Sequence, residues 1–149
     1  MPVMGVTRFE RFFRTAAGLD IDKNDVKRYG DFVNDKLFDL LLMAQATAKA
    51  NVRDAIEPWD LPIAKGLQES MHRFRDLDEE IELHPILEQI AARPPLDLAL
   101  SDDTTARLPL IVGGLSLALA RAFRIIEPKI KNPGPTEWER ISRIFDLLL

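Results

Sequence analysis

The stretch from Asn24 to Leu67 limits the folds open to this chain more than any other part of it. Apolar or small residues fall at Val26, Tyr29, Val33, Leu37, Leu40, Leu41, Ala44 and Ala48. Steps of three and four set them on one stripe of an α-helix from Asn24 to Val52. Between Leu37 and Ala44 the stripe widens, because Phe38, Leu42 and Met43 are also apolar and only Asp39 interrupts. A helix apolar over so much of its circumference needs cover on two sides. A loop from Arg53 to Trp59 follows, and Asp60 is placed to cap the next helix, with Pro62 in its first turn where a missing N–H costs little.

Upstream, Thr7 to Ala17 is predicted as a short helix with Phe9, Phe12, Phe13 and Ala16 inward, stopped by Gly18. Arg8, Arg11 and Arg14 form a row on its other side, and Leu19 to Lys23 turns the chain into the long helix, capped at Asn24 or Asp25. Downstream, Leu61, Ala64, Leu67, Met71, Phe74, Leu77 and Ile81 keep helical spacing almost to Leu83, in one helix or in two with a break near Asp76 to Asp78. His84-Pro85 ends that pattern. A short helix, Ile86 to Ala92, is stopped by Pro94-Pro95, and Leu96 to Leu100 is an extended connector.

The second half repeats the first. Asp102 or Asp103 caps a long helix, and a constant offset lays Val33, Leu37, Leu40, Leu41 and Ala44 on Ile111, Leu115, Ala118, Leu119 and Ala122. The same offset sets Arg53 on Lys131, and one extra loop residue then brings Trp59 and Asp60 onto Trp138 and Glu139. Thr136 to Glu139 has the form of a capping box for a final helix through Phe145 and Leu147. The copy is imperfect: Pro109 is predicted to kink the second long helix, and Lys131 and Glu139 make a poorer ion pair than Arg53 and Asp60. Gly113-Gly114 is explained by close backbone approach where the two long helices cross, or by a local bend. The chain is all-α, one domain over 1–149, with a first repeat over 7–83 and a degenerate second repeat over 84–149.

Short helix, loop, long helix, loop, helix, with an arginine opening the second loop, a central isoleucine and an aspartate closing it, resembles the histone fold of archaeal histones. The resemblance implies that Arg53 and Asp60 form an intrachain clamp; the plain alternative is that Asp60 is a cap and Arg53 is solvated. Over its whole length the chain resembles a family of bacterial histone-fold doublets known mainly as proteins of unknown function. That implies two repeats pairing inside one chain as an intramolecular pseudodimer. Such a doublet can be a stable monomer, or a weak homodimer, because each repeat covers the face the other exposes and the closure entropy of the joining loop is small.

Function is read from residues and not from fold. Archaeal histones carry lysine and threonine after the loop arginine and a further lysine after the isoleucine, all facing phosphate; here those places hold Asp54, Ala55 and Glu57. Carboxylates toward phosphate repel it, and a formal net charge of -4 adds to that. Arg8, Arg11 and Arg14 are the candidate DNA contacts that survive, with Lys27 and Arg28 across the loop; a solvated surface row is the ordinary account of them. The two histidines, His72 and His84, sit in no nucleophile motif, and Glu69-Ser-Met-His72 lacks the second copy a carboxylate-bridged metal site needs. No catalytic residues, cofactor or metal are expected. The chain has no cysteine, its N-terminus lacks the pattern of a signal peptide, and the apolar run from Leu108 to Ala120 falls short of the roughly 20 residues of a spanning helix. The expectation is a cytoplasmic, non-enzymatic interaction or scaffold protein with an unknown protein partner, Trp59 or Trp138 serving as anchor unless they pack against the core; the alternative is a weak nucleoid-associated DNA binder.

Overall fold

The long apolar pattern forms the helix it encodes. In the computed structural model, which describes residues 4–77 and 96–149 and the side chains from residue 9 onward in the first segment, it spans Lys23–Ala50. Five α-helices are described: α1 Met4–Ala17, α2 Lys23–Ala50, α3 Lys65–Leu77, α4 Asp102–Ile126 and α5 Pro135–Leu148. Two short strands, β1 Ala55–Ile56 and β2 Ala99–Leu100, and a 3-10 turn at Pro58–Asp60 complete the described elements. The expected stop at His84-Pro85, the short helix Ile86 to Ala92 and the junction of the repeats lie outside the described residues.

Helix boundaries follow their caps. α2 is capped by Asp22 and not by Asn24 or Asp25: Asp25 N–H donates to Asp22 Oδ1 and Asp22 N–H to Asp25 Oδ2, each at 3.0 Å. This reciprocal box makes Asp25 the third residue of the helix. At the other end Arg53 N–H donates to Ala48 O (2.9 Å) and Val52 N–H to Lys49 O (3.0 Å). Val52 closes that turn at φ 57°, a left-handed position where glycine is usual and a β-branched residue is strained. α4 is capped by Ser101, whose Oγ accepts from Thr104 N–H at 3.2 Å; Asp102 and Asp103 occupy the first turn, toward the positive end of the helix dipole. α5 starts one residue before Thr136, with Gly134 as cap, and Glu137 supplies the back bond, accepting from Gly134 N–H at 2.7 Å.

The largest departure lies at Asp60. It caps no α-helix; it ends the 3-10 turn, and α3 begins only at Lys65. Pro62 explains the delay, because it biases Leu61 toward extended backbone, where Leu61 sits (φ -69°, ψ 129°). Pro109, by contrast, is tolerated inside α4.

α4 is the hub and touches every other described helix. Its length and composition would suit a membrane span, yet 56% of that apolar window is buried inside the structure. α3 lies most closely on it: a Cβ added at Gly114 would stand 3.0 Å from Met71 N and 3.1 Å from its Cα, and one at Gly113 would strike the Phe74 ring. The glycine pair therefore admits α3, not the crossing long helix α2. α2 and α4 meet over a shorter stretch, and Tyr29 Oη and Ser116 Oγ share a 2.6 Å hydrogen bond between them.

The connecting loops exchange partners. β1, after α2, pairs in parallel with β2, before α4, and Ser101 N–H donates to Ile56 O at 3.0 Å. At the other end Asp20, before α2, donates its N–H to Lys131 O, after α4, at 2.7 Å. α5 in turn seats on α2: Phe32 and Phe145 stack edge to face at 4.9 Å, and the Trp138 indole N–H donates to Asp25 Oδ1 at 2.8 Å. Arg124 bonds four carbonyls: Ala17 and Gly18 at the end of α1, and Pro128 and Ile130 in the loop after α4.

Candidate functional site

The loop after α2 carries the most distinctive constellation. The Arg53 guanidinium donates to Asp60 Oδ1, and Asp60 Oδ2 accepts from Glu57 N–H at 2.8 Å. The Asp60 carboxylate is fully buried while Arg53 is 31% exposed, so one end of the ion pair is dry and the other wet. Each carboxylate oxygen thus has a donor, and the pair closes the loop around Ile56, itself fully buried. Thr104 Oγ1 donates to Ile56 O at 2.7 Å, which pins the start of α4 to the same loop.

Around this knot the surface is acidic. Asp54 is exposed and Glu57 half-buried, and Asp102 and Asp103 are exposed on the first turn of α4. Of the described cations here, Arg53 is paired with Asp60 and Lys49 with Asp97, while Arg107 is exposed on the next turn of α4. Arg53 also stands 6.0 Å from the centre of the Trp59 ring. Trp59 is 70% exposed, whereas its counterpart Trp138 is 5% exposed and bonded to Asp25. The two tryptophans therefore differ, one exposed and one in the core, where the sequence left both open as anchors or as core residues. No ion pair joins Lys131 to Glu139 among the described residues; Glu139 faces Arg143 at 3.9 Å.

The basic row sits elsewhere, on α1. Arg11 and Arg14 are exposed, and Arg14 Nε lies 3.7 Å from Asp20 Oδ1; Arg8 belongs to the same helix, with its side chain outside the description. Arg28 pairs with Asp25 at 3.8 Å. His72 is exposed on α3, Glu69 pairs with Lys65 at 3.3 Å, and His84 lies outside the described residues. Among the described residues no group of three or more histidine or carboxylate side chains is placed to hold a metal ion.

Two buried charged groups escaped sequence reasoning. Lys36, 4% exposed, reaches from α2 to Asp146 on α5 and lies 3.8 Å from Asp39. Its position between Val33 and Leu37 on the apolar stripe was the available signal. Asp25, also 4% exposed, has its pKa raised: burial outweighs the backbone bond from Asp22 and the Trp138 indole, both of which favour the charged form. Burial likewise pushes the Tyr29 phenol upward.

Comparison with known proteins gives relatives without assigned roles. The family described as a domain of unknown function (DUF1931) matches residues 9–146. Two uncharacterised proteins of Aquifex aeolicus (strain VF5) align with the chain. One is 27% identical over 142 residues, covering 95% of this chain and 82% of the relative. The other is 30% identical over 137 residues, covering 83% and 79%. A crystal structure from Thermus thermophilus superposes with a TM-score of 0.90 at 51% identity over 97% of both chains. Another, from Aquifex aeolicus, superposes with a TM-score of 0.85 at 26% identity over 97% of this chain and 95% of that one.

Proposed function

The chain belongs to the DUF1931 family, and from that premise we propose that it is a histone-fold doublet working as a non-enzymatic interaction or scaffold module. The doublet reading is supported by the exchange of loop partners, β1 with β2 at one end and Asp20 with Lys131 at the other, the pattern expected of two halves paired about a twofold. The Arg53–Asp60 pair and the seating of α3 on α4 and of α5 on α2 fit the same reading.

The observation that carries the functional part is the charge of the paired loops. A face that would meet duplex DNA in a histone carries Asp54 and Glu57, with Arg53 already neutralised by Asp60. Affinity for duplex DNA comes largely from phosphates neutralised by cations, and Asp54 and Glu57 stand here where a histone has cations. The interaction role therefore falls to protein, with the exposed Trp59 as the natural anchor.

Anisotropy titrations of duplex DNA across a salt series test this. Wild-type protein is expected to show no binding at physiological salt. The double substitution Asp54→Lys with Glu57→Lys is expected to create salt-sensitive binding, with log K falling by about 0.9 per log unit of salt for each phosphate engaged. Tight binding by the wild type would reject the scaffold reading, and no gain in the double variant would reject the histone-like docking of this face. A second reading, weak nucleoid binding through Arg8, Arg11 and Arg14, draws on the exposure of Arg11 and Arg14. It predicts wild-type binding at low salt that a triple alanine variant loses.

A further inference from the structure

The apolar surface of α5 extends well beyond the stripe that seats it on the core. Trp138 and Phe145 stack edge to face on Phe123 and Phe32, each at 4.9 Å, and Ile141 is fully buried. Ile144, Leu147 and Leu148 lie three and four residues apart on the adjoining flank and are 37%, 86% and 74% exposed. A helix of this pattern needs cover on a second side, and that side is largely bare.

Beside the flank runs a groove of about 480 Å³ between α3, α4 and the end of α5. Leu148 forms one lip and Ile125, 77% exposed near the end of α4, the other; Leu67, Leu115 and Phe145 are among the walls. A ridge and a groove therefore stand side by side on one patch. That is what a twofold contact between identical surfaces requires, since each copy must offer both shapes. Ile125, Ile144, Leu147 and Leu148 together present on the order of 500 Å² of apolar surface, near the upper end of what a monomer keeps in one patch. Two copies would hide on the order of 1,000 Å² before the groove walls are added, enough for a specific though weak interface.

Charge favours the same occupant. The last turn of α5 carries no basic residue, so the negative end of its dipole lacks a cation on its own helix. Asp146, 63% exposed although paired with Lys36, adds to that negative end. Arg140 and Arg143 are exposed one turn before Ile144 and Leu147 on the same flank, with Arg143 only 3.9 Å from Glu139. Two α5 helices laid antiparallel about a twofold set these arginines of each copy beside the last turn of the other.

We propose that this patch is the seam of a homodimer, in which the α5 helices of two copies pack antiparallel and each presses Ile144, Leu147 and Leu148 toward the groove of the other. The proposal does not rest on the charge of the paired loops, with which the patch shares no residue, and Trp59 stays outside the contact.

Sedimentation velocity of the full chain over a concentration series tests it. A reversible monomer–dimer equilibrium is expected, with a dissociation constant of about 1–100 µM for an interface of this size. Ile125→Lys and Leu147→Lys sit at exposed positions where the monomer has little to lose; each is expected to weaken dimerisation at least about tenfold, with the thermal midpoint of the monomer unchanged. Arg140→Glu is expected to weaken it severalfold at low salt, and added salt should narrow the difference. Trp59→Ala is expected to leave it as it is. A protein that remains monomeric up to about 1 mM would overturn the proposal. So would a dimer that keeps its affinity in both lysine variants or one that Trp59→Ala dissolves, and an Arg140→Glu dimer as tight as wild type would overturn the antiparallel arrangement.

Discussion

Gly114→Ala and Gly30→Ala make the same chemical change inside the two long helices and are expected to move stability in opposite directions. Replacing glycine by alanine in a helix interior is worth about 1 kcal/mol. At Gly30 an added Cβ meets nothing within 4 Å, so the full gain should appear, raising the melting temperature by about 2–4 °C for a chain of this size. At Gly114 the new methyl meets Met71 backbone at 3.0 and 3.1 Å, and backbone cannot rotate away as a side-chain tip can. Overpacking of that kind costs about 1–3 kcal/mol. Sliding α3 outward also uncovers Leu67 and Met71, now 6% and 7% exposed; losing a third of their burial adds about 1–2 kcal/mol. After the propensity gain, the net loss is about 2 kcal/mol, or about 4–8 °C in melting temperature. Urea and thermal unfolding followed by far-ultraviolet circular dichroism read both variants. A Gly114→Ala protein that melts at or above the wild-type temperature would refute the claim that glycine is there to let α3 approach.

Val52→Gly should stabilise by about 0.5–1 kcal/mol, since relief of left-handed strain exceeds the entropy glycine adds to the unfolded chain; a lower urea midpoint would contradict the strain at φ 57°. Asp60→Ala should cost about 2–3 kcal/mol, below the usual range for a broken buried pair because Arg53 is partly solvated; a change under about 0.5 kcal/mol would show the clamp to be dispensable. Asp25 holds its proton more tightly folded than unfolded, so its contribution is fully present below the ordinary carboxylate pKa of 3.8 and is lost as pH rises through the raised folded value. Asp25→Asn, which keeps an acceptor for Trp138, should therefore compare best with wild type at neutral pH and worst in acid; unfolding midpoints that keep a constant gap across pH would contradict this.

The helical class and the two long rods were legible because Val26 to Ala48 and Leu108 to Ile126 keep one period over many turns, and their buried faces follow it. The caps were less so. Asp22 beat Asn24 and Asp25 only because Asp25 could reach back to it, a reciprocal geometry that two carboxylates three residues apart also offer elsewhere in the chain. The start of α3 was misplaced because Asp60 looks like a helix cap, whereas its carboxylate is used up by Arg53 and Glu57 and Pro62 holds the chain extended. Nothing local reveals that Gly113 and Gly114 face Phe74 and Met71, or that Arg124 spans to Ala17, because those partners are remote in sequence.

The reach of Arg124 has a consequence for the order of events during synthesis. The carbonyls at the end of α1 emerge from the ribosome with no bonding group to receive them, and α3 emerges before the glycine-lined surface it needs. Both wait until most of α4 has been translated. Contacts spanning so much of the chain must pay their closure entropy late, which slows folding relative to a simple helical hairpin. The N-terminal half thus gains its cover in two stages, from α4 first and from α5 last, when Trp138 and Phe145 reach Asp25 and Phe32.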